Sequence, residues 1–111
     1  MDAFELAQLM SERDKSGESY LEFLVAPTMS VGLYELPAGG IDPQRPHTED
    51  EVYYVVSGRA TIQVADEDRP VQPGSVMFVA TGVEHKFHSI TEDLTILVVF
   101  APPRRSQASS D

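Results

Sequence analysis

The chain has 111 residues, with 8 basic and 18 acidic side chains, a formal net charge of −10 and no cysteine. A chain of this length buries enough surface for one hydrophobic core, which excludes two full domains. The acidic surplus repels phosphate backbones and anionic lipid headgroups, and we therefore expect no nucleic-acid or membrane partner. Without cysteine, any metal has to be bound by His, Asp or Glu.

The distribution of apolar residues predicts a cytoplasmic protein. No apolar run approaches the ~18 residues that a membrane-spanning helix needs. The first residues, MDAFE, are acidic and lack the basic-then-apolar layout of a signal peptide.

The N-terminal part of the chain predicts a short amphipathic helix. Within residues 2–12, apolar residues such as Phe4 and Ala7 follow helical spacing among good helix formers. The polar stretch 11–19 predicts a loop. We therefore expect residues 1–18 to form a helix and loop that precede the main domain.

From residue 20 onward, short runs rich in β-branched and aromatic residues alternate with turn residues. The predicted strands are Tyr20–Ala26, Ser30–Leu36, Val52–Ser57, Ala60–Ala65, Ser75–Ala80, Glu84–Ile90 and Leu94–Ala101, with a further short one at Arg69–Gln72. Ser57 and Gly58 form a candidate tight turn. We expect a β-barrel over residues 19–101 and a flexible tail over residues 102–111.

The connections between these strands predict an antiparallel all-β fold. No helical pattern separates the strands, and parallel pairing needs crossover helices. A jelly-roll barrel is the favoured architecture. Residues 38–50 show no strand pattern, and a loop of this length in a compact domain usually serves a function.

Two of the three histidines lie at predicted strand entrances. His47 ends the long loop, Glu51 follows it by four residues, and His85 begins a later strand. An even spacing in extended chain places His47 and Glu51 on one face. Two imidazoles and one carboxylate form a set that suits non-haem iron and also accepts Zn, Mn, Ni or Co. The alternative is that these histidines only satisfy local hydrogen bonds.

Side chains on the same strand faces predict the surroundings of such a site. Tyr53, Phe87 and Ser89 share faces with the candidate ligands and are candidates for substrate binding. Phe78 is a further candidate for the wall of the pocket, although inward aromatic rings of a small barrel first of all form its core. His88 points the other way and is expected at the surface or an interface.

Two stretches resemble the two motifs of the cupin superfamily. Residues 40–58, GIDPQRPHTEDEVYYVVSG, resemble the first motif, G-x5-H-x-H-x3,4-E-x6-G. Residues 74–89, GSVMFVATGVEHKFHS, resemble the second, G-x5-P-x-G-x2-H-x3-N. The resemblance implies a double-stranded β-helix, which is a jelly-roll barrel, with His47, Glu51 and His85 as the metal ligands.

The first motif differs from the family pattern at one ligand. Arg45 stands where the family has its first histidine, and a guanidinium has no lone pair to offer a metal. Gln44 is the candidate substitute for this ligand. Arg45 is expected to bind an anionic substrate group or, alternatively, to pair with the neighbouring Glu49 or Asp50, acids that predict a solvated loop.

The resemblance implies a metal-dependent enzyme that acts on a small organic molecule, of the dioxygenase, isomerase, epimerase or cyclase type. Its cofactor would be Fe, Mn, Ni or Zn. The alternative is a non-catalytic cupin that binds a small ligand, for example as a sensor, and has a degenerate metal site. A third possibility is a pure interaction domain, based on the exposed strand edges and the N-terminal helix. The resemblance implies that small cupins cover these surfaces by forming homodimers, so we expect a homodimer.

Overall fold

The computed structural model of the protein describes residues 1–43 and 48–105. One helix, α1 (Leu6–Ser16), precedes six strands, and no helix in this part of the chain is long and apolar enough to cross a membrane. The strands are β1 (Tyr20–Ala26), β2 (Met29–Leu36), β3 (Asp50–Val64), β4 (Glu67–Val71), β5 (Val76–Val79) and β6 (His85–Ala101).

The strand pairs in the described residues are antiparallel, which confirms the predicted fold class. The strands follow the order β1-β2-β6-β3-β4, and β5 pairs with β3. The two longest strands, β3 and β6, pair along two stretches: 50–55 with 96–101, and then 61–64 with 85–88. Between these stretches the register shifts, so the pair bends as a bulged ribbon does.

The bend corrects the prediction that β3 and β6 are each two short strands. Ser57 and Gly58, the candidate tight turn, lie inside β3, where the chain bends without reversing. Gly58 has a φ of 94°, and a Cβ at this position would lie 2.2 Å from the Asp93 carbonyl oxygen. The glycine therefore serves a close approach to β6, because only a residue without a side chain fits this conformation and this gap.

The helix also departs from its predicted bounds, because it continues through part of the stretch 11–19. Arg13 is buried, and its guanidinium donates to the Glu18 carbonyl oxygen and to the Glu35 carboxylate, at 3.0 Å each. These contacts fasten the second half of α1 to the sheet. Gly17, with a φ of 74°, ends the helix.

The hydrophobic core occupies the inner face of the curved sheet. Its buried members are Tyr34, Leu36, Tyr53, Val55, Ala60, Ile62, Val71, Val79, Phe87, Ile90, Leu94, Ile96, Val98 and Phe100. Leu33 is fully buried as well, although alternation turns it to the outer face of β2. Since α1 contacts β1 and β2, the helix covers this part of the outer face.

Candidate functional site

The structure brings Glu51 and His85 together inside the barrel. Glu51 lies near the start of β3, and His85 is the first residue of β6. His85 Nε2 lies 3.2 Å from Glu51 Oε1, and each side chain is 1% exposed. In the ladder His85 is opposite Val64, at the far end of β3, so only the bend of the strands brings the two side chains together.

A backbone hydrogen bond fixes the orientation of the His85 ring. Its Nδ1 lies 2.9 Å from the Val83 carbonyl oxygen, which can only accept, so Nδ1 carries a proton and donates it. Burial lowers the pKa of His85, but the contact with Glu51, the bond to Val83 and the charges of Glu51 and Asp42 outweigh burial. The pKa of His85 is therefore raised above its ordinary value of 6.5.

The Glu51 carboxylate is buried and lacks the hydrogen-bond donors that usually stabilise a buried negative charge. Apart from His85 Nε2, neither of its oxygens has a hydrogen-bond partner among the residues that the structure describes. A neutral His85 with its proton on Nδ1 directs the Nε2 lone pair at Glu51 Oε1, and two lone pairs that face each other repel. A shared cation or a second imidazole proton relieves this repulsion. An imidazole nitrogen and a carboxylate oxygen are donors that divalent transition metals accept, so the two residues fit a metal ligand set.

Asp42 anchors the strands beside this pair. It is buried, and its carboxylate accepts a hydrogen bond from Tyr34 Oη and another from the Phe87 backbone N–H, at 2.9 Å each. Burial raises the pKa of Tyr34, and the charge and hydrogen bond of Asp42 raise it further. No sequence motif points to Asp42: its place just before a proline is a common turn signal and reveals nothing of this long-range contact.

Glu49 corrects the prediction of a solvated acidic run. It is 2% exposed. Its carboxylate accepts hydrogen bonds from Thr48 Oγ1 and, at 2.9 Å, from the backbone N–H of Arg105. Residues 102–105, which the sequence predicts as the start of a flexible tail, therefore fold back onto the entrance of β3. Burial of Glu49 depends on this return of the chain, which local sequence does not encode.

The predicted pocket residues separate into two groups. Tyr53 and Phe87 are buried and pack edge to face, with ring centroids 5.1 Å apart, and the Tyr53 ring lies 6.0 Å from that of His85. Both rings belong to the hydrophobic core, and they also lie beside the Glu51–His85 pair. Ser89 is exposed, and the prediction that it shares the inner face is wrong because its φ of 51° interrupts the alternation of β6.

Two more residues that the sequence singles out, Phe78 and His88, lie at the surface. Phe78 is 63% exposed on the outer face of β5, so the prediction that it points inward is wrong. The expectation for His88 is confirmed: its side chain is 36% exposed, and Nε2 lies 2.7 Å from Asp68 Oδ1.

Three candidates from the first motif, Gln44, Arg45 and His47, lie outside the described residues. Within residues 1–43 and 48–105, no group of three His, Cys, Asp or Glu side chains is arranged to hold a metal ion. The part of the site that the structure describes is thus the Glu51–His85 pair and its surroundings.

The chain matches a known family over most of its barrel. Residues 32–100 match the family described as a cupin domain. The protein is a cupin. This membership confirms the double-stranded β-helix that the two sequence motifs imply.

Similar proteins share the fold over most of this cupin. An uncharacterized protein of Streptomyces coelicolor is 56% identical over 103 residues, which are 93% of this chain and 98% of that protein. The crystal structure of a Thermus thermophilus protein is 25% identical with a TM-score of 0.75, and the match covers 93% and 99% of the two chains. The DMSP lyase DddQ of Ruegeria pomeroyi is 21% identical with a TM-score of 0.66, over 77% of this chain and 42% of that one.

Proposed function

We propose that this cupin binds a divalent transition metal, Fe, Mn, Ni or Zn, and acts as an enzyme on a small organic molecule, of the dioxygenase, isomerase, epimerase or cyclase type. Glu51 and His85 would hold the metal together with His47, and Gln44 is a further candidate ligand. The observation that carries the proposal is the buried Glu51–His85 pair, because its carboxylate oxygens have no hydrogen-bond donor among the described residues apart from the His85 ring.

The residues around the pair support this chemistry. A bound metal supplies a Lewis acid that polarises a substrate oxygen. The Val83 carbonyl accepts a hydrogen bond from Nδ1–H of His85, which leaves the lone pair of Nε2 available to a metal. The Tyr53 and Phe87 rings exclude water, which strengthens electrostatic interactions in the site. Arg45 is proposed to orient an anionic group of the substrate.

A non-catalytic cupin that binds a small ligand is the second candidate. Arg45 at the position of the first motif histidine favours it, because an arginine removes one ligand from the family's set. The two candidates differ in what metal removal does. An enzyme of the first kind loses turnover when the metal is removed and regains it on reloading, whereas a sensor keeps a thermal shift with its ligand and turns nothing over.

Metal binding is tested directly by metal analysis of untagged protein that has been reloaded with Fe(II), Mn, Ni or Zn. We expect about one equivalent to remain bound, and we expect Glu51→Gln and His85→Ala each to weaken binding more than ~10-fold, since the first removes the negative charge of a ligand and the second removes a ligand nitrogen. His88→Ala, on the same strand as His85 but at the surface, is the matched control and should keep wild-type affinity. Wild-type protein that holds less than about a tenth of an equivalent of every metal, or full occupancy in His85→Ala, would contradict the proposal.

We also propose that a second copy of the chain covers the outer face of β3 and β5. This apolar face consists of Val52, Tyr54, Val76 and Phe78, which pair across the two strands and are 37%, 43%, 66% and 63% exposed. Two copies with a charge of −10 each repel through most of their surfaces, and these four uncharged side chains offer a patch where they can approach. A two-fold contact also lets the same patch serve both copies.

A further inference from the structure

The segment 102–105 places one arginine side chain at the inner side of the barrel. The backbone N–H of Arg104 donates to Ser30 Oγ at 2.8 Å. The guanidinium carbon of Arg104 lies 4.8 Å from the centroid of the Tyr20 ring, within the range of a cation–π contact. Ser30 is fully buried and Tyr20 packs against the core, so the guanidinium is held over the interior of the barrel.

The Arg104 guanidinium has no carboxylate partner among the described residues. Arg13, the buried arginine, pairs with Glu35 at 3.0 Å, and exposed Arg59 contacts Glu92 at 3.5 Å. No such ion pair involves Arg104 within residues 1–43 and 48–105. The Tyr20 hydroxyl is also buried without a hydrogen-bond partner in the described part of the chain. An arginine without a carboxylate partner, next to an unsatisfied hydroxyl, offers hydrogen-bond donors that suit an anionic group.

The strand register places this cation opposite the Glu51–His85 pair. Ser30 pairs with Phe100, and Phe100 pairs with Glu51, so the three residues form one row across β2, β6 and β3. All three are buried on the inner face. Two strand spacings separate the ends of the row by roughly 10 Å. The segment that carries Arg104 and the start of β3 therefore lie on the same face of the sheet, two strands apart.

We propose that Arg104 binds the carboxylate of a small organic acid whose other end faces Glu51 and His85, with the Tyr20 ring as the platform that positions the guanidinium. A guanidinium matches both carboxylate and phosphate oxygens. A phosphate carries more negative charge, and Glu49 and Glu51, both buried at the entrance of β3, oppose it more strongly than they oppose a carboxylate. The orientation toward Glu51 and His85 rests on the proposed function, whereas the carboxylate contact of Arg104 does not.

The contact is tested by calorimetric titration of EDTA-treated protein with lactate, with the neutral analogue propane-1,2-diol and with inorganic phosphate. We expect lactate to bind more tightly than phosphate and the diol not to bind. Arg104→Gln should weaken lactate binding about ten-fold or more, the usual effect of losing a hydrogen bond to a charged group. Arg105→Gln, the matched control on the next residue, should change affinity less than about two-fold, because only the backbone of Arg105 contacts Glu49.

Each outcome decides the proposal. If Arg104→Gln does not fold, Arg104→Lys replaces it, because lysine keeps the charge and most of the side-chain stem. Arg104→Lys should lose part of the lactate affinity, because the planar pair of donors is gone. If Arg104→Gln and Arg105→Gln lose the same amount of lactate affinity, the change in net charge alone explains the loss, and the proposal is overturned. Phosphate binding tighter than lactate binding, or no lactate binding to the wild type, would also overturn it. Because these titrations use metal-free protein, a failure of metal loading contradicts the proposed function alone.

Discussion

The Glu51 carboxylate is a charged group buried inside this cupin. The residue is 2% exposed, and 3.2 Å from its Oε1 lies Nε2 of His85, whose ring orientation is set by Val83. Breaking a buried charge pair by removing one partner costs several kcal/mol, because the other charge stays buried. The proposed metal would supply the positive charge that this carboxylate otherwise receives only from a protonated His85.

The buried hydroxyl groups of Tyr34 and Tyr20 make the stability of the protein depend on pH in the alkaline range. Burial raises the pKa values of Tyr34 and Tyr20 above their ordinary value, so the folded state binds these protons more tightly than the unfolded state does. The associated stability is complete below pH ~10, the pKa of an unfolded tyrosine, and is lost as the pH rises above it. We expect the free energy of unfolding from urea titrations to stay constant up to pH ~10 and to fall as the pH rises above that value.

Tyr34→Phe tests the source of this pH dependence. The variant loses the buried hydrogen bond to Asp42 and should be about 1–3 kcal/mol less stable at neutral pH. Its loss of stability above pH ~10 should be shallower than that of the wild type. Tyr54→Phe, at a 43% exposed tyrosine of the outer face, is the control and should keep the wild-type slope. An unchanged slope in Tyr34→Phe would assign the alkaline loss to other groups.

Among the elements, β3 and β6 determine the shape of the site. A pair of straight strands would leave Glu51 and His85 at opposite ends of the ladder. The bulged bend around Gly58 turns the two ends toward each other. Local geometry within one strand pair thus controls a contact between side chains more than thirty positions apart in the chain.

Gly58→Ala tests the role of this bend. The new Cβ would lie 2.2 Å from the Asp93 carbonyl oxygen, and the positive φ adds backbone strain, so we expect a loss of at least ~2 kcal/mol in chemical unfolding. Gly74→Ala is a matched control, because Gly74 has nearly the same φ, 95°, and a Cβ there meets nothing within 4 Å. It should cost only the strain, about 1 kcal/mol. Equal losses in the two variants would show that strain alone, without the close approach to β6, explains the glycine.

For the whole molecule, the apolar face of Val52, Tyr54, Val76 and Phe78 is the feature that a lone barrel leaves unexplained. Specific interfaces bury about 800 Å² on each partner, so the face would form the centre of a contact with a polar rim. Its position on β5 and β3 leaves the inner face of the barrel free. The proposed dimer therefore does not compete with ligand binding.

Phe78→Glu is expected to convert the dimer into a monomer in analytical ultracentrifugation, because it places one charge from each copy in the centre of the contact. Val25→Glu, at a 64% exposed valine on β1, is the control and should leave the sedimentation unchanged. A wild-type protein that sediments as a monomer at micromolar concentration would contradict the proposed dimer. A Phe78→Glu variant that remains dimeric would place the contact elsewhere.

The sequence by itself determined the antiparallel β class, most strand positions and the surface position of His88, because alternation and turn chemistry are local properties. It also indicated Glu51 and His85, through the spacing of two motifs. Only the tertiary structure decided that Gly58 bends a strand instead of ending it, and that Ser89 leaves the inner face. The same holds for Glu49 and Arg104, whose partners Arg105 and Ser30 lie 56 and 74 residues away. Contacts at such distances depend on how the chain closes on itself, and no short-range pattern encodes that.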